Sequence, residues 1–117
     1  MPLLSILTPA RPPADRRAEL LTTLSRLLAR ELDKPESYVM VALAHPELMS
    51  FGGDASRPAC YVELKNVGTF SAERCEQLSA LLCRELAGAL GVAADRIYIE
   101  FTGADGALWG WNGTTFA

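Results

Sequence analysis

Apolar residues along this chain keep two different periods, and the places where one gives way to the other mark its elements. In Leu3-Leu4-Ser5-Ile6-Leu7-Thr8 they are nearly continuous, which predicts a buried strand. After the breaker Pro9-Ala10-Arg11-Pro12-Pro13, residues Leu20, Leu21, Leu24, Leu27, Leu28 and Leu32 fall on one stripe at helical spacing and predict a helix from about Ala14 to Leu32. Arg16, Arg17, Arg26 and Arg30 lie on its other face, as a solvated surface requires. Lys34-Pro35 ends the helix, and Tyr38–Leu43 reads as a second strand. His45-Pro46 through Phe51-Gly52-Gly53-Asp54 to Pro58 is a loop with a tight turn. In Cys60–Val67, Glu63 and Lys65 alternate with Val62 and Leu64, the period of a strand. Gly68 breaks it, Ser71 is placed to cap a helix reaching about Leu90, and Gly91 follows its end. Ile97–Thr102 is the fourth strand. The tail Gly103–Ala117 is glycine-rich yet carries Trp109, Trp111 and Phe116, which a disordered segment would not hold.

The pattern repeats. Leu32 to Leu43 falls on Leu90 to Phe101, each stretch ending a helix, turning and entering a strand, while Leu4, Leu20, Leu24 and Leu28 fall on Val62, Leu78, Leu82 and Leu86. Two tandem βαβ units, about 2–58 and 59–117, therefore make one α+β domain: a four-stranded sheet with two helices on one face. Two helices cover only one face. Val39, Val41, Leu43 and Met40, Ala42 make the second strand apolar on both sides, as Ile97, Ile99, Phe101 and Tyr98 make the fourth. An uncovered apolar sheet predicts association, and a closed homo-oligomer is expected, with the aromatic tail available to extend a neighbour's sheet edge.

Composition narrows the function classes. At 117 residues the chain has room for one core, and its net charge of −3 carries no basic patch for nucleic acid. No apolar run reaches membrane-spanning length and no charged region, apolar stretch and cleavage site come in the order of a signal peptide, so a soluble cytoplasmic protein is expected, with non-classical secretion left open. Cys60, Cys75 and Cys83 show neither CxxC spacing nor metal-ligand partners, His45 being the only histidine; mostly buried free thiols are expected, and no metal or cofactor. No carboxylate pair, Ser/His/Asp set or phosphate loop exists. Removal of Met1 before the small residue Pro2 would leave a secondary amine anchored by a buried strand. Burial lowers an amine's pKa toward neutrality, where a general base works best. The alternative is that Pro2 only begins an extended strand.

Met1-Pro2, Lys34-Pro35, Leu48-Met49-x-Phe51-Gly52-Gly53, Asp95-Arg96-Ile97-Tyr98-Ile99 and above all Gly110-Trp111-Asn112-Gly113-Thr114-Thr115-Phe116-Ala117 resemble the macrophage migration inhibitory factor and D-dopachrome tautomerase family. The resemblance runs from Pro2 to Ala117 with shifts of only one or two residues. It implies a homotrimer with sheets lining a central barrel and active sites between subunits, and keto–enol tautomerase activity on phenylpyruvate- and dopachrome-like aromatic keto compounds. It also implies residue roles. Pro2 is the catalytic acid and base. Lys34 matches the family's lysine for the substrate carboxylate, although a helix C-terminal lysine also suits the macrodipole. Val67 matches a pocket-lining isoleucine that contributes its backbone. Tyr98 would close the pocket from the adjacent subunit, and Trp109 and Phe116 would wall an aryl group or pack the interface.

The chain departs from the family in three places. Glu100 stands where the best-known member has a substrate-contacting asparagine, setting an acidic group toward an acidic substrate. The redox CxxC of some members is absent, the stretch reading Pro58-Ala59-Cys60-Tyr61-Val62. Trp109 replaces a smaller aliphatic residue and narrows the pocket. Besides the enzyme, two readings stand: a secreted cytokine-like signalling ligand, for which the motifs identify no receptor-binding surface, and a structural trimer with a vestigial site. Binding to a receptor ectodomain separates the first of these from the enzyme.

Overall fold

In the computed structural model, which describes residues 1–117, the chain runs β1 (Leu3–Leu7), α1 (Ala14–Glu31), β2 (Met40–Ala44), β3 (Cys60–Val67), α2 (Ala72–Leu90), β4 (Ile97–Ala104), β5 (Gly110–Trp111) and β6 (Thr114–Thr115). Short 3-10 turns at Glu36–Tyr38, Ala94–Arg96 and Gly106–Leu108 lead into β2, β4 and β5. The main sheet has the order β2-β1-β3-β4. Within each βαβ unit the helix carries the chain back to a parallel neighbour, so β1 pairs parallel with β2 and β3 with β4; the two units then join through the antiparallel pair β1–β3, with Leu4 opposite Leu64.

Alternation sends Leu4 and Ile6 of β1 and Cys60, Val62 and Leu64 of β3 to the helix side, where all are essentially inaccessible. Leu20, Leu24 and Leu28 of α1 and Leu78, Leu82 and Leu86 of α2 close over them. Each fully buried leucine contributes roughly 1.5–3 kcal/mol through removal from water. The helix ends follow local chemistry. Ser71 accepts a hydrogen bond from the Arg74 N–H at 3.0 Å and starts α2, and Gly91, at φ 69°, ends it. α1 ends in a Schellman turn without glycine: Asp33 takes φ 51° and the Lys34 N–H reaches back to the Ala29 carbonyl at 3.0 Å.

Four boundaries differ from the sequence reading. α1 stops at Glu31. The second strand begins at Met40 and runs to Ala44, because the residues after Pro35 close a 3-10 turn in which the Val39 N–H meets the Glu36 carbonyl at 3.0 Å. β1 ends before Thr8, whose hydroxyl turns inward to the Ala59 carbonyl at 2.8 Å. β4 runs two residues further than Thr102, since Gly103 and Ala104 still pair with Asn66 and Val67.

The uncovered face corrects the expectation of an apolar sheet. It is apolar along β2, where Met40 and Ala42 are exposed, but the parity that puts Tyr98 on this face puts Glu100 and Thr102 beside it. Glu63 lies opposite Glu100 and Lys65 opposite Thr102, so the middle of the face is a polar band. The thiols also differ from expectation: Cys60 is buried, whereas Cys75 and Cys83 are half-buried. The tail folds on its own protomer as the β5–β6 hairpin, turning through Asn112 and Gly113 at positive φ. No helix is long and apolar enough to cross a membrane.

Candidate functional site

Pro2 continues β1 by one residue, its carbonyl accepting the Met40 N–H at 3.0 Å, and its ring is fully buried. It forms one wall of a cleft of about 260 Å³ whose other walls include Tyr38, Met40, Trp109, Trp111 and Phe116. The aromatic side comes from the tail. Trp111 and Phe116 stack at 5.7 Å between centroids, and both meet the Tyr38 ring edge-on at 5.3 and 5.9 Å. Trp109 and Phe116 are held together by the Phe116 N–H, shared between the Trp109 carbonyl at 3.2 Å and the Gly106 carbonyl at 3.1 Å. A side chain on Gly106 would collide with the Phe116 carbonyl oxygen, at 2.3 Å from a Cβ there.

The charged end of the site lies at the C-terminal end of β3. Gly68, at φ 121°, turns the chain away, and the Val67 carbonyl is left facing Lys34, whose Nζ donates to it at 3.5 Å. The Schellman turn that ends α1 aims this lysine. The chain's first amine, on Met1, sits close by. Partial burial, and then the Lys34 charge, lower its pKa from the ordinary value. With Met1 in place, the Pro2 nitrogen is an amide and has no proton to exchange.

The structure thus gathers Pro2, Lys34, Val67, Trp109 and Phe116 at one end of the sheet. Tyr98 and Glu100 lie elsewhere in the same chain. Extending the sheet register places the Glu100 backbone about 14 Å from Pro2, two strands across and three residues along, with its side chain on the uncovered face. There the Thr102 hydroxyl donates to its carboxylate. Tyr98 packs its ring on Phe51, 4.8 Å between centroids, beside a separate cleft that also touches Cys60 and Tyr61. One protomer therefore brings together five of the seven expected site residues and leaves Tyr98 and Glu100 apart from them.

Other groups do structural work. His45 Nδ1 lies 2.9 Å from the Thr8 carbonyl, tying β2 to the end of β1. Burial pushes the Cys60 thiol up to about 12, far from a reactive thiolate. Nowhere do three His, Cys, Asp or Glu side chains converge so as to hold a metal ion.

Three features escape the sequence patterns used above. Tyr38 and Trp111 join the pocket wall only because the tail folds back onto the turn before β2. Arg96 is buried, donating to the carbonyls of Pro58, Phe51, Asp54 and Arg57 at 2.8–3.2 Å and so pinning the loop before β3. Asn66 is 6% exposed, and its Oδ1 has no hydrogen-bond partner. A signal for Asn66 exists: it is the one polar residue at the inward positions Cys60, Val62, Leu64, Asn66 of β3.

The family model described as macrophage migration inhibitory factor (MIF) matches residues 1–117. A macrophage migration inhibitory factor of Xenopus tropicalis is 36% identical over 98 residues, covering 84% of this chain and 84% of that protein. Among solved structures, the homologue from Prochlorococcus marinus is 43% identical with a TM-score of 0.90, covering 98% of this chain and 99% of that one. The factor from Trichinella spiralis is 34% identical with a TM-score of 0.88, covering 97% and 99%.

Proposed function

The chain belongs to the macrophage migration inhibitory factor family, and on that premise we propose that it is a keto–enol tautomerase using Pro2, freed by removal of Met1, as both acid and base. The substrates are aryl keto acids of the phenylpyruvate type and related dopachrome-like compounds. The observation that carries this reading is the position of Pro2: buried at the start of β1, open to an aromatic-walled cleft, with a lysine beside the chain's first amine.

In the processed chain the same burial and the same Lys34 charge lower the Pro2 amine's pKa from the ordinary value and so favour its neutral, basic form. The neutral amine takes a proton from the carbon next to the substrate carbonyl. The electron pair of the broken C–H bond forms the C=C bond, and the carbonyl oxygen receives the proton to give the enol. Ketonisation runs the same steps backward. Lys34, held by the Val67 carbonyl, pairs with the substrate carboxylate, and Trp109 and Phe116 flank the aryl ring. A homotrimer completes the pocket, with Tyr98 and Glu100 entering from the adjacent subunit.

The test uses two preparations distinguished by intact mass, one that has lost Met1 and one that keeps it. Phenylpyruvate tautomerisation should be about 10²–10⁴-fold slower with Met1 retained, the loss expected for a general base. Equal rates would place the chemistry at another residue.

A further inference from the structure

Asn66 Oδ1 is a buried acceptor without a donor, and the register of the sheet says where a donor could come from. β1 and β3 pair antiparallel with Leu3 opposite Lys65, so the next position along sets Pro2 opposite Asn66. The Pro2 carbonyl points at β2, where it accepts the Met40 N–H at 3.0 Å. Pro2 and Asn66 therefore occupy a non-hydrogen-bonded site of the β1–β3 ladder, the kind that brings side chains closest. Alternation puts both on the helix side, Pro2 in step with Leu4 and Asn66 with Leu64, and both are buried there.

While Met1 is attached, the Pro2 nitrogen is a tertiary amide that can donate nothing. Loss of Met1 converts it to an amine that bears one N–H when neutral and two when protonated. The donor that Asn66 lacks is thus created by processing. We propose that Asn66 is a positioning residue whose Oδ1 accepts a hydrogen bond from the Pro2 N–H of the processed chain, orienting the amine and favouring its protonated form. The inference rests on the reading of Pro2 as the site's acid and base. An acceptor that stabilises the ammonium opposes burial and Lys34, both of which disfavour it, and keeps the amine able to return a proton as well as to take one. Lys34 from the end of α1 and the Tyr38 phenol from the turn before β2 are the titratable groups facing this amine; the tail residues of the cleft, Trp109, Gly110, Trp111 and Phe116, have none.

The experiment follows the ¹⁵N signal of Pro2 against pH in ¹⁵N-proline-labelled protein shown by mass to lack Met1. Wild type is compared with Asn66→Leu, which keeps the volume and removes the acceptor, and with Asn66→Asp, which makes the acceptor anionic. Asn66→Leu should lower the titration midpoint by about one pH unit, and Asn66→Asp should raise it. The kcat/KM profile for phenylpyruvate should shift the same way in each. An unchanged midpoint in Asn66→Leu, or a rise, overturns the proposal; if that variant does not fold, an unchanged midpoint in Asn66→Asp does so. The titration needs no substrate. A Pro2 amine that responds to Asn66 in a protein that leaves phenylpyruvate untouched would refute the tautomerase reading and leave the contact standing.

Discussion

Lys34 and Val67 meet across the end of the sheet, the lysine ammonium donating to the strand carbonyl at 3.5 Å beside the first amine of the chain. One contact thereby fixes a positive charge where it both disfavours an ammonium and attracts a carboxylate.

Lys34→Ala should therefore raise two observables, the pH of the activity limb and the KM for a carboxylate substrate. Burial and the Lys34 charge both lower the amine pKa, and the base works when deprotonated, so kcat/KM rises with pH through that ionisation. Removing the charge raises the amine pKa and moves the rising limb to higher pH. KM for a carboxylate substrate should rise by roughly tenfold as a charge-assisted contact is lost, and KM for the neutral ester should change much less. Equal changes for acid and ester would show that Lys34 does not read the carboxylate.

Glu100→Gln tests the contribution of a second subunit. In its own protomer this carboxylate lies on the uncovered face with the Thr102 hydroxyl, away from Pro2. A drop in KM for a carboxylate substrate, of about 1–2 kcal/mol as a repulsion is relieved, requires a neighbouring chain to bring Glu100 to the cleft. Native mass spectrometry of the same sample should report a trimer; a monomer with an unchanged KM would remove both claims.

Arg96→Ala should be among the most destabilising substitutions outside the leucine core. The guanidinium is buried, stacks over Phe51 at 5.4 Å from its centroid, and satisfies four loop carbonyls. Its loss leaves the Pro58 and Arg57 carbonyls without a donor, while those of Phe51 and Asp54 keep each other's N–H, and should cost roughly 3 kcal/mol in urea unfolding. Arg96→Lys, with one compact ammonium in place of the planar fork, should recover only part of this.

Thiol reactivity should separate the three cysteines. Cys60 is buried and its thiol is pushed up to about 12, first by burial and then by Cys83. At pH 8 iodoacetamide should modify Cys75 and Cys83 in the native protein before Cys60, as read by peptide mass. Early labelling of Cys60 would mean that β3 opens locally.

Periodicity alone was enough for the two helices, the four main strands and the repeat that joins them, because leucines at helical spacing and alternation in β3 encode which side of each element meets the core. The family resemblance also marked Pro2, Lys34 and Phe116, since the motifs that contain them are local, and Trp109 by its place just before Gly110–Ala117. Periodicity could not say that Glu100 and Tyr98 lie far from Pro2 in their own protomer, because strand order and register are set by which units pair; only the resemblance assigned Tyr98 to an adjacent subunit. The β2-β1-β3-β4 order puts β4 two strands from β1. Nor could it show that Tyr38 and Trp111 share a wall, a contact between the turn before β2 and a hairpin at the far end of the chain. Asn66 illustrates the division best. Its inward parity is written in the strand, but that its carbonyl oxygen lacks a partner, at the place opposite Pro2, follows only from the antiparallel joining of the two halves.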